Sequence, residues 1–483
     1  MAQALRPERN NKRAKCRLPP GPTPLPIIGN ILQLGKQPHK SLSKLAEIHG
    51  PIMSLKLGQM TTIIVSSVEM AKQVLQTRDH LLSNRSVPHA MTGQNHHEFS
   101  LPFMATTPRW RFLRKICNNL LFSGKILDTT QKRRREKMQE FLARIYQSSL
   151  TGEAMEIGRS AFMTIVNMLS NSICSLDLVH FNTVNEFKEL ESDVMEDVGR
   201  PNLADYFPVL KLADPLGIKR RVDVHFGKML KITHGLVKHR LQMRQETTYG
   251  ADRDMLDGLL RISEENSRQL NDTMIERLLM DLFLAGSDTT TSTLEWAMTE
   301  LVRNPEAMSK AKAELGNTVG KGNLVEESDM DRLPYLQSVL KESFRLHPVV
   351  PFLLPRRADV DVEICGYVIP KGAQVLVNIW AIGRDPSIWD EPNVFRAERF
   401  LGSEIDVKGR HFELIPFGAG RRICPGLALA MKMLVLILGS LINSFDWKLE
   451  DGMVPEDMDM EDKFGIAMEK AQPLRAVPVS LRN

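Results

Sequence analysis

Cysteine is scarce in this chain of 483 residues and follows no pairing pattern. The five cysteines are odd in number, widely scattered and without any CxxC pair. They are Cys16, Cys117, Cys174, Cys365 and Cys424. Such spacing predicts neither a disulfide framework nor a zinc site, and we expect the thiols to face a reducing compartment.

Long apolar runs are also missing. The most apolar stretch, "LVLILGSLI", is about half of the ~20 residues that a membrane helix needs. The first 30 residues join a basic segment to a proline-rich one and lack the apolar core of a secretory signal. Lys12, Arg13, Lys15 and Arg17 suit either a juxtamembrane stretch whose anchor is absent or a solvated basic tail.

Charge and composition favour a globular protein. Hydrophobic residues make up 42% of the chain and charged residues 25%, with a net charge of +5. This balance supplies a large core. The mild positive surplus suits an acidic protein partner or an anionic membrane surface, and no nucleic-acid-binding motif accompanies it.

Hydrophobic periodicity predicts a mainly α fold with a small β part. "PIMSLKLGQMTTIIVSS" alternates as a strand pair turning at Gly58, and the pattern is mostly helical from Val68 to Arg345. Strand character returns in "VEICGYVIPKGAQVLVNIWAIG", and a final helix after Cys424 precedes a strand-like tail. Because no linker interrupts them, residues 31–483 are expected to form one domain.

The loop "PFGAGRRICPG" places a cysteine at the start of a helix. Pro425 favours a helix N-terminus, where the helix dipole, Arg421 and Arg422 are expected to lower the pKa of Cys424. The glycines around it would let a flat ligand approach the backbone. A buried structural cysteine is the alternative interpretation.

"FGAGRRICPG" resembles the haem-binding signature of the cytochrome P450 superfamily. Five residues occupy its fixed positions, namely Phe417, Gly420, Arg422, Cys424 and Gly426. The resemblance implies the P450 fold and bound haem b (iron protoporphyrin IX). It makes Cys424 the axial thiolate ligand of the iron and Arg422 a partner of a haem propionate, with Phe417, Gly418 and Gly426 in the same cofactor-binding loop.

"KESFR" and "FRAERF" are similar to two structural motifs of that superfamily. Glu342 and Arg345 share a helix face, an arrangement that by itself usually marks a solvated ion pair. The resemblance adds Arg399 to a buried network with them. Ala397 stands where the family usually has proline, which bears on the rigidity of that loop.

"LMDLFLAGSDTTTSTLEW" belongs to a predicted helix from Asp272 to Arg303. Gly286 is a poor helix former, and Ser287, Thr289, Thr290 and Thr291 can bond to carbonyls four residues earlier, so a kinked core helix is one interpretation. The resemblance implies instead that Asp288 and Thr289 are catalytic and relay protons during oxygen activation.

Other residues are implied to surround the cofactor and the substrate. "RWRFLRK" resembles the family's WxxxR helix, so Trp110 and Arg114 are expected at the propionates, as is Arg356, whereas each could instead lie on a solvated face. By the same analogy an apolar pocket is formed by nine residues. They are Phe103, Met104, Phe207, Leu284, Ala285, Val350, Leu354, Phe464 and Ile466.

Further stretches look like the plant microsomal subfamily that contains geraniol 8-hydroxylase and related diterpenoid hydroxylases. The implied function is hydroxylation of a lipophilic terpenoid with O2 and electrons from NADPH, delivered through the flavins of NADPH-cytochrome P450 reductase. Alternatives are a multi-step diterpenoid oxidase, an O2-independent haem-thiolate isomerase or dehydratase, and a haem carrier or sensor. No nucleic-acid partner is expected.

Two surfaces follow from this resemblance. The reductase is expected to dock on a basic face comprising Arg109, Lys115, Arg133, Arg134 and Arg135. The segment from Ala204 to Gly217 is apolar and flanked by basic residues, which favours either a membrane-interfacial segment or a buried connector. The implied location is the cytosolic face of the endoplasmic reticulum membrane.

Overall fold

The computed structural model describes residues 17–180, 183–246 and 254–481. The basic residues Lys12, Arg13 and Lys15, together with Cys16, lie outside this part of the chain.

Helices dominate the described chain, as the hydrophobic periodicity predicts. In chain order they are α1 (Pro38–His49), α2 (Val68–Lys72), α3 (Asp79–Leu82), α4 (Pro108–Ile116), α5 (Gly124–Thr151), α6 (Ile157–Cys174), α7 (Val184–Gly199), α8 (Leu203–Tyr206), α9 (Ile218–Arg244), α10 (Met255–Glu265), α11 (Asp272–Arg303), α12 (Pro305–Thr318), α13 (Pro334–Leu346), α14 (Ile379–Ile382) and α15 (Leu427–Ser444). The mainly α fold class with a small β part is confirmed.

Short strands form the β part. They are β1 (Ile52–Leu57), β2 (Met60–Val65), β3 (Asn84–Arg85), β4 (Met155–Glu156), β5 (Arg356–Arg357), β6 (Val362–Ile364), β7 (Tyr367–Ile369), β8 (Gln374–Val377), β9 (Phe445–Leu449), β10 (Asp462–Lys463), β11 (Glu469–Lys470) and β12 (Arg475–Ser480). One sheet has the order β1-β2-β8-β5-β3, in which only the β2–β8 pairing is parallel. A second has the order β4-β12-β9, and β6–β7 and β10–β11 are two-stranded.

The helix α11 has the bounds predicted from the sequence. Asn271 caps it by accepting a hydrogen bond from the Met274 amide at 3.0 Å. The helix ends at Arg303, two residues before Pro305, because a proline disfavours the helical conformation at the preceding Asn304. Most of its residues are buried, and it packs against α6, α9 and α15. A helix enclosed on nearly every side is a rigid platform for any side chain it presents to a cavity.

The last helix, α15, is a core element. By length and composition it is apolar enough to cross a membrane, yet 78% of it is buried inside the protein. Its packing partners include α5, α11 and α12. This burial fixes the start of α15, and therefore the loop that leads into it, against the centre of the helical core.

Candidate functional site

Cys424 lies in a loop whose shape is set by glycine. Gly418 and Gly420 adopt φ values of +71° and +69°, and a Cβ on Gly420 would lie 2.0 Å from the Leu75 carbonyl oxygen. Only glycine is accommodated there. The helix α15 starts at Leu427 with Gly426 as its N-cap, so the thiol lies two residues before the cap, and Pro425 precedes the helix instead of occupying its first turn.

The environment of the thiol differs from the sequence expectation. Burial raises the pKa of Cys424, and the backbone amides of Gly426 and Leu427 together with the charge of Arg114 only partly offset it. The expected lowering by Arg421 and Arg422 was therefore wrong. Arg421 is exposed and pairs with Asp79, and the guanidinium of Arg422 donates hydrogen bonds to the carbonyls of Ser83, Leu101 and Met104. A half-buried thiol of this kind becomes a thiolate when a metal ion binds it.

Three arginines are buried together beside this loop. They are Arg85, Arg356 and Arg422, and each lies under 10% exposed. Burial lowers the pKa of all three, and the charge of Arg356 lowers the pKa of Arg85 and Arg422 further. The carboxylate that faces them is Asp79, which accepts a 2.6 Å hydrogen bond from Arg356. The cluster keeps a surplus of positive charge that an anionic group would neutralise.

Trp110 and Arg422 meet at one backbone carbonyl. The Leu101 carbonyl oxygen accepts hydrogen bonds of 3.1 Å from both Trp110 Nε1 and Arg422 Nη1, and the guanidinium lies 4.3 Å from the indole centroid. Thr107 caps α4 and so orients Trp110. On the same helix Arg114 is close enough to Cys424 for its charge to act on the thiol. The helix α4 therefore contributes one side chain beside Arg422 and another beside Cys424.

The middle of α11 has one open face. Ala285 is exposed and Thr289 half-buried, although the residues around them in this helix are buried. Ser287, Thr289 and Thr290 bond to the carbonyls four residues earlier, as expected. Thr291 does not, because its hydroxyl is buried and finds no partner among the described residues. Thr289 therefore lies on the accessible strip of α11, where its hydroxyl donates to the Ala285 carbonyl at 2.7 Å.

Asp288 points away from that open face. Its side chain is 4% exposed, and burial and the neighbouring carboxyl group of Glu469 raise its pKa well above the usual range. On the helix its neighbour Ser287 donates a hydrogen bond to Glu191. The acid and the alcohol of the predicted relay are adjacent in sequence but face different surroundings.

The pocket residues expected from the sequence lie in three groups. Phe103 and Met104 are buried next to the Trp110–Arg422 contact, and Leu284 and Ala285 lie on α11. Residues 350–354 and 464–466 adjoin each other, since the Met468 amide donates to the Val349 carbonyl and the rings of Phe352 and Phe464 are 6.2 Å apart. Val350 and Leu354 belong to the first of these segments, and Phe464 and Ile466 belong to the second. Phe207 packs at the β1–β2 turn, against Gly58.

The centre of the Glu342 network is buried, with Glu342 and Arg345 0% and 1% exposed. Arg345 donates two hydrogen bonds of 2.7 Å to the two oxygens of Glu342, and Arg399 Nε donates a third at 3.2 Å. The Arg396 backbone amide adds another at 2.8 Å. Ala397 is buried in a short 3₁₀ turn, Ala397–Phe400, so the segment is ordered in this conformation without the proline.

Two side chains of the site were missed by the sequence analysis. Arg85 has no motif around it, and it joins the arginine cluster through the pairing of β3 with β5. Glu469 lies in the C-terminal tail, 181 positions after Asp288. Neither contact has a local sequence signal, because both depend on segments that meet only after folding.

These residues fit the haem implied by the resemblance. The buried arginine cluster suits two propionates, and the half-buried Cys424 thiol suits an iron ligand. The fit rests on the donor chemistry of the described residues.

Comparisons with known proteins agree with this chemistry. The family model described as Cytochrome P450 matches residues 19–474. Geraniol 8-hydroxylase of Catharanthus roseus is 54% identical over 473 residues, covering 98% of this chain and 95% of the relative. Geraniol 8-hydroxylase of Swertia mussotii is 54% identical over 97% of this chain and 95% of its own length. Drimenol monooxygenase of Persicaria hydropiper is 48% identical, with 98% and 94% covered.

Proposed function

The chain belongs to the cytochrome P450 family and is a monooxygenase of that family, and on this premise we propose that it hydroxylates a lipophilic terpenoid. The substrate is a monoterpenol such as geraniol, or a diterpene. Electrons come from NADPH through the flavins of NADPH-cytochrome P450 reductase. Residues 31–483 form the catalytic domain in this proposal. The observation that carries it is the Cys424 thiol, held in a loop shaped by glycine beside the buried arginine cluster.

The residues around the cofactor have separable tasks. Cys424 would ligate the iron of haem b, and Arg422, Arg356 and Arg85 would bind the propionates together with Trp110 and Arg114. When bound, the haem supplies the activation of O2 and the transfer of one oxygen atom to the substrate. The protein binds the cofactor, orients the substrate and excludes water from the site.

Proton delivery is assigned to the pair Asp288 and Thr289. Burial and the neighbouring Glu469 raise the pKa of Asp288 well above its usual range, which favours the protonated form that a proton donor needs. The Thr289 hydroxyl, half-buried at the open face, positions that proton at the cavity. A haem-thiolate isomerase or dehydratase would need neither group, which favours the O2-dependent reaction.

A terpenoid substrate is supported by the pocket and by the relatives. The expected lining is apolar, with Phe103, Leu284, Val350 and Ile466 as examples. The similar proteins carry the names geraniol 8-hydroxylase and drimenol monooxygenase. Oxidation in several steps at one diterpenoid carbon is the second form of this proposal.

An interfacial location is supported by exposed apolar side chains between Ala204 and Gly217. Val209 is 77% and Leu212 100% exposed, so the alternative of a buried connector is wrong. Such side chains beside Lys219 and Arg220 suit an anionic membrane surface. We infer a location on the cytosolic face of the endoplasmic reticulum membrane.

Docking of the reductase is assigned to the basic surface around α4 and α5. Arg109 and Lys115 are exposed, and Arg135 is half exposed beside Glu326. Arg134 must be removed from the expected set, because it is fully buried in an ion pair with Glu327. Reductase association should slow as salt rises, since screening acts over ~8 Å at physiological ionic strength.

Turnover with a reductase tests the proposed reaction. Monoterpenols and abietane-type diterpenes are offered separately, and one of the two classes should yield a hydroxylated product that requires NADPH and O2. Thr289→Ala should consume NADPH while releasing peroxide. Thr299→Ala is the matched control, because that threonine makes the same bond to a carbonyl four residues earlier but is fully buried. Fully coupled turnover of Thr289→Ala, or product formed without O2, would overturn the proposal.

A further inference from the structure

A buried carboxyl pair joins α11 to the C-terminal hairpin. Asp288 Oδ2 is buried and finds no hydrogen-bond donor among the described residues. The group within hydrogen-bonding range of Asp288 is the side chain of Glu469 on β11, which is itself an acid. The packing of α11 against β11 thus brings two carboxyl groups together where a donor would be expected.

The hairpin is held in this position by contacts on both sides. The Ser292 hydroxyl, one turn after Asp288, donates to the Met468 carbonyl at 2.6 Å. The Ile466 amide donates to the Met195 carbonyl of α7 at 3.2 Å, and the Met468 amide to the Val349 carbonyl at 2.7 Å. These hydrogen bonds hold the backbone next to Glu469 against α11.

The surroundings hold more acids than bases. Four carboxyl groups face this region from α7, α11 and β11, and the cations near them are Lys188 and Lys470. The acids are Glu191, Asp288, Glu295 and Glu469. Glu191 accepts from Ser287 and Glu295 from the Leu474 amide, whereas Lys188 lies over the Phe162 ring and Lys470 donates to the Asp459 carbonyl.

Two adjacent carboxylates cannot both be ionised in such a site without a large electrostatic cost. A single proton placed between them removes the repulsion and supplies the donor that Asp288 Oδ2 lacks. Burial and Glu469 both raise the pKa of Asp288, which is consistent with the proton residing on that residue.

We propose that Glu469 is a positioning residue that shares one proton with Asp288 and thereby keeps Asp288 neutral behind Thr289. This inference rests on the proposed function, in which Asp288 supplies a proton to the cavity. When Asp288 gives up that proton it becomes a carboxylate, and the pair then takes up one proton from water through the half-buried Glu469. The charge of the pair is the same before and after this cycle.

The first test measures the proton directly in the haem-loaded protein. Infrared difference spectra at neutral pH should show the carbonyl stretch of a protonated carboxyl group that vanishes in Asp288→Asn. Glu469→Gln should remove the same band, because the amide donates to Asp288 and stabilises its carboxylate. Glu456→Gln, an exposed glutamate in the preceding segment, should leave the band unchanged. Persistence of the band in Glu469→Gln would overturn the inference.

The second test is the pH profile of coupled product formation. The alkaline limb should report loss of the shared proton, and Glu469→Gln should shift it to lower pH by about one unit or more. Haem content and the carbon monoxide spectrum should match the wild type. If the alkaline limb stays in place in Glu469→Gln but disappears in Asp288→Asn, the shared proton is refuted while the role of Asp288 in the proposed function stands. A limb unchanged in Asp288→Asn would refute the role of Asp288 in the proposed function.

Discussion

Glu342 and Arg345 face each other inside α13 through two hydrogen bonds of 2.7 Å, with neither side chain accessible to solvent. Arg345 also donates to the carbonyls of Gly383 and Pro392, each at 2.6 Å. One ion pair thus ties α13 to the segment after β8 and to the approach to the cysteine loop. Since α13 packs on α11 and α15, the pair fixes the frame in which Cys424 is held.

Removing the charge of Glu342 should therefore be costly. Glu342→Gln leaves Arg345 and Arg399 buried without a counter-charge, and we expect the free energy of unfolding to fall by about 3–5 kcal/mol. Lys132→Gln is the control, because the Lys132–Glu136 pair is exposed and should contribute under about 0.5 kcal/mol. Urea unfolding measures both. Equal losses in the two variants would contradict the structural role of the network.

Features that depend on a local sequence pattern could be predicted, whereas contacts between distant segments could not. The cysteine loop, α11 and the Glu342–Arg345 spacing are local patterns, so motif and periodicity were enough to locate them. Arg85 and Glu469 escaped notice because their partners are distant in sequence and meet them only through the β3–β5 pairing and the β11–α11 packing. The pKa of Cys424 was misjudged since helix dipole and charge can be inferred from sequence, whereas the extent of burial cannot.

The thiol itself gives the second prediction. Cys424→His should retain some haem, because imidazole can also ligate iron, but should lose the red-shifted Soret band that carbon monoxide gives with a reduced thiolate-ligated haem. Cys365→Ser is the matched control, since Cys365 is exposed in the β6–β7 turn. Carbon monoxide difference spectra of the reduced wild type and of both variants measure the position of this band. Survival of the band in Cys424→His would exclude Cys424 as the ligand.

Asp205 gives a prediction about pH. Burial raises its pKa to about 6, although the carboxylate accepts a 2.6 Å hydrogen bond from the His89 amide. For an acid whose pKa is higher in the folded state than the ~3.9 of the unfolded chain, the stabilising contribution is complete below pH ~4. It is lost as the pH rises through about 6, because the buried group must then ionise.

Asp205→Asn should therefore match the wild type at low pH and exceed it at neutral pH. The amide keeps the acceptor for His89 and cannot ionise, so its advantage above pH 6 should be about 1–3 kcal/mol. Urea unfolding at pH 4.5 and 7.5, on either side of about 6, measures it, with Asp331→Asn on an exposed turn as the control. A difference independent of pH would show that the carboxyl group does not titrate in this range.

The last prediction concerns membrane binding, and the structure indicates which exposed apolar side chains to replace. Two exposed apolar segments lie on either side of the β1–β2 turn. The Gly58 amide donates to the Ile28 carbonyl at 3.1 Å, and the Gln59 amide to the Tyr206 carbonyl at 2.8 Å. The stretch that carries Ile27, which is 84% exposed, and the segment that carries Val209 and Leu212 therefore both adjoin this turn.

Apolar side chains on one side of the protein can enter a bilayer together, so the two segments should bind it cooperatively. Replacing Val209 and Leu212 with serine should weaken binding to anionic liposomes without altering the haem spectrum, and adding Ile27→Ser should weaken it further. Phe207 is unsuitable for this purpose, because it packs against Gly58 and its loss would disturb the fold. Leu401→Ser, at an exposed leucine outside both segments, controls for a general loss of apolar surface. Liposome sedimentation gives the bound fraction, and equal binding by all variants would show that neither segment contacts the membrane.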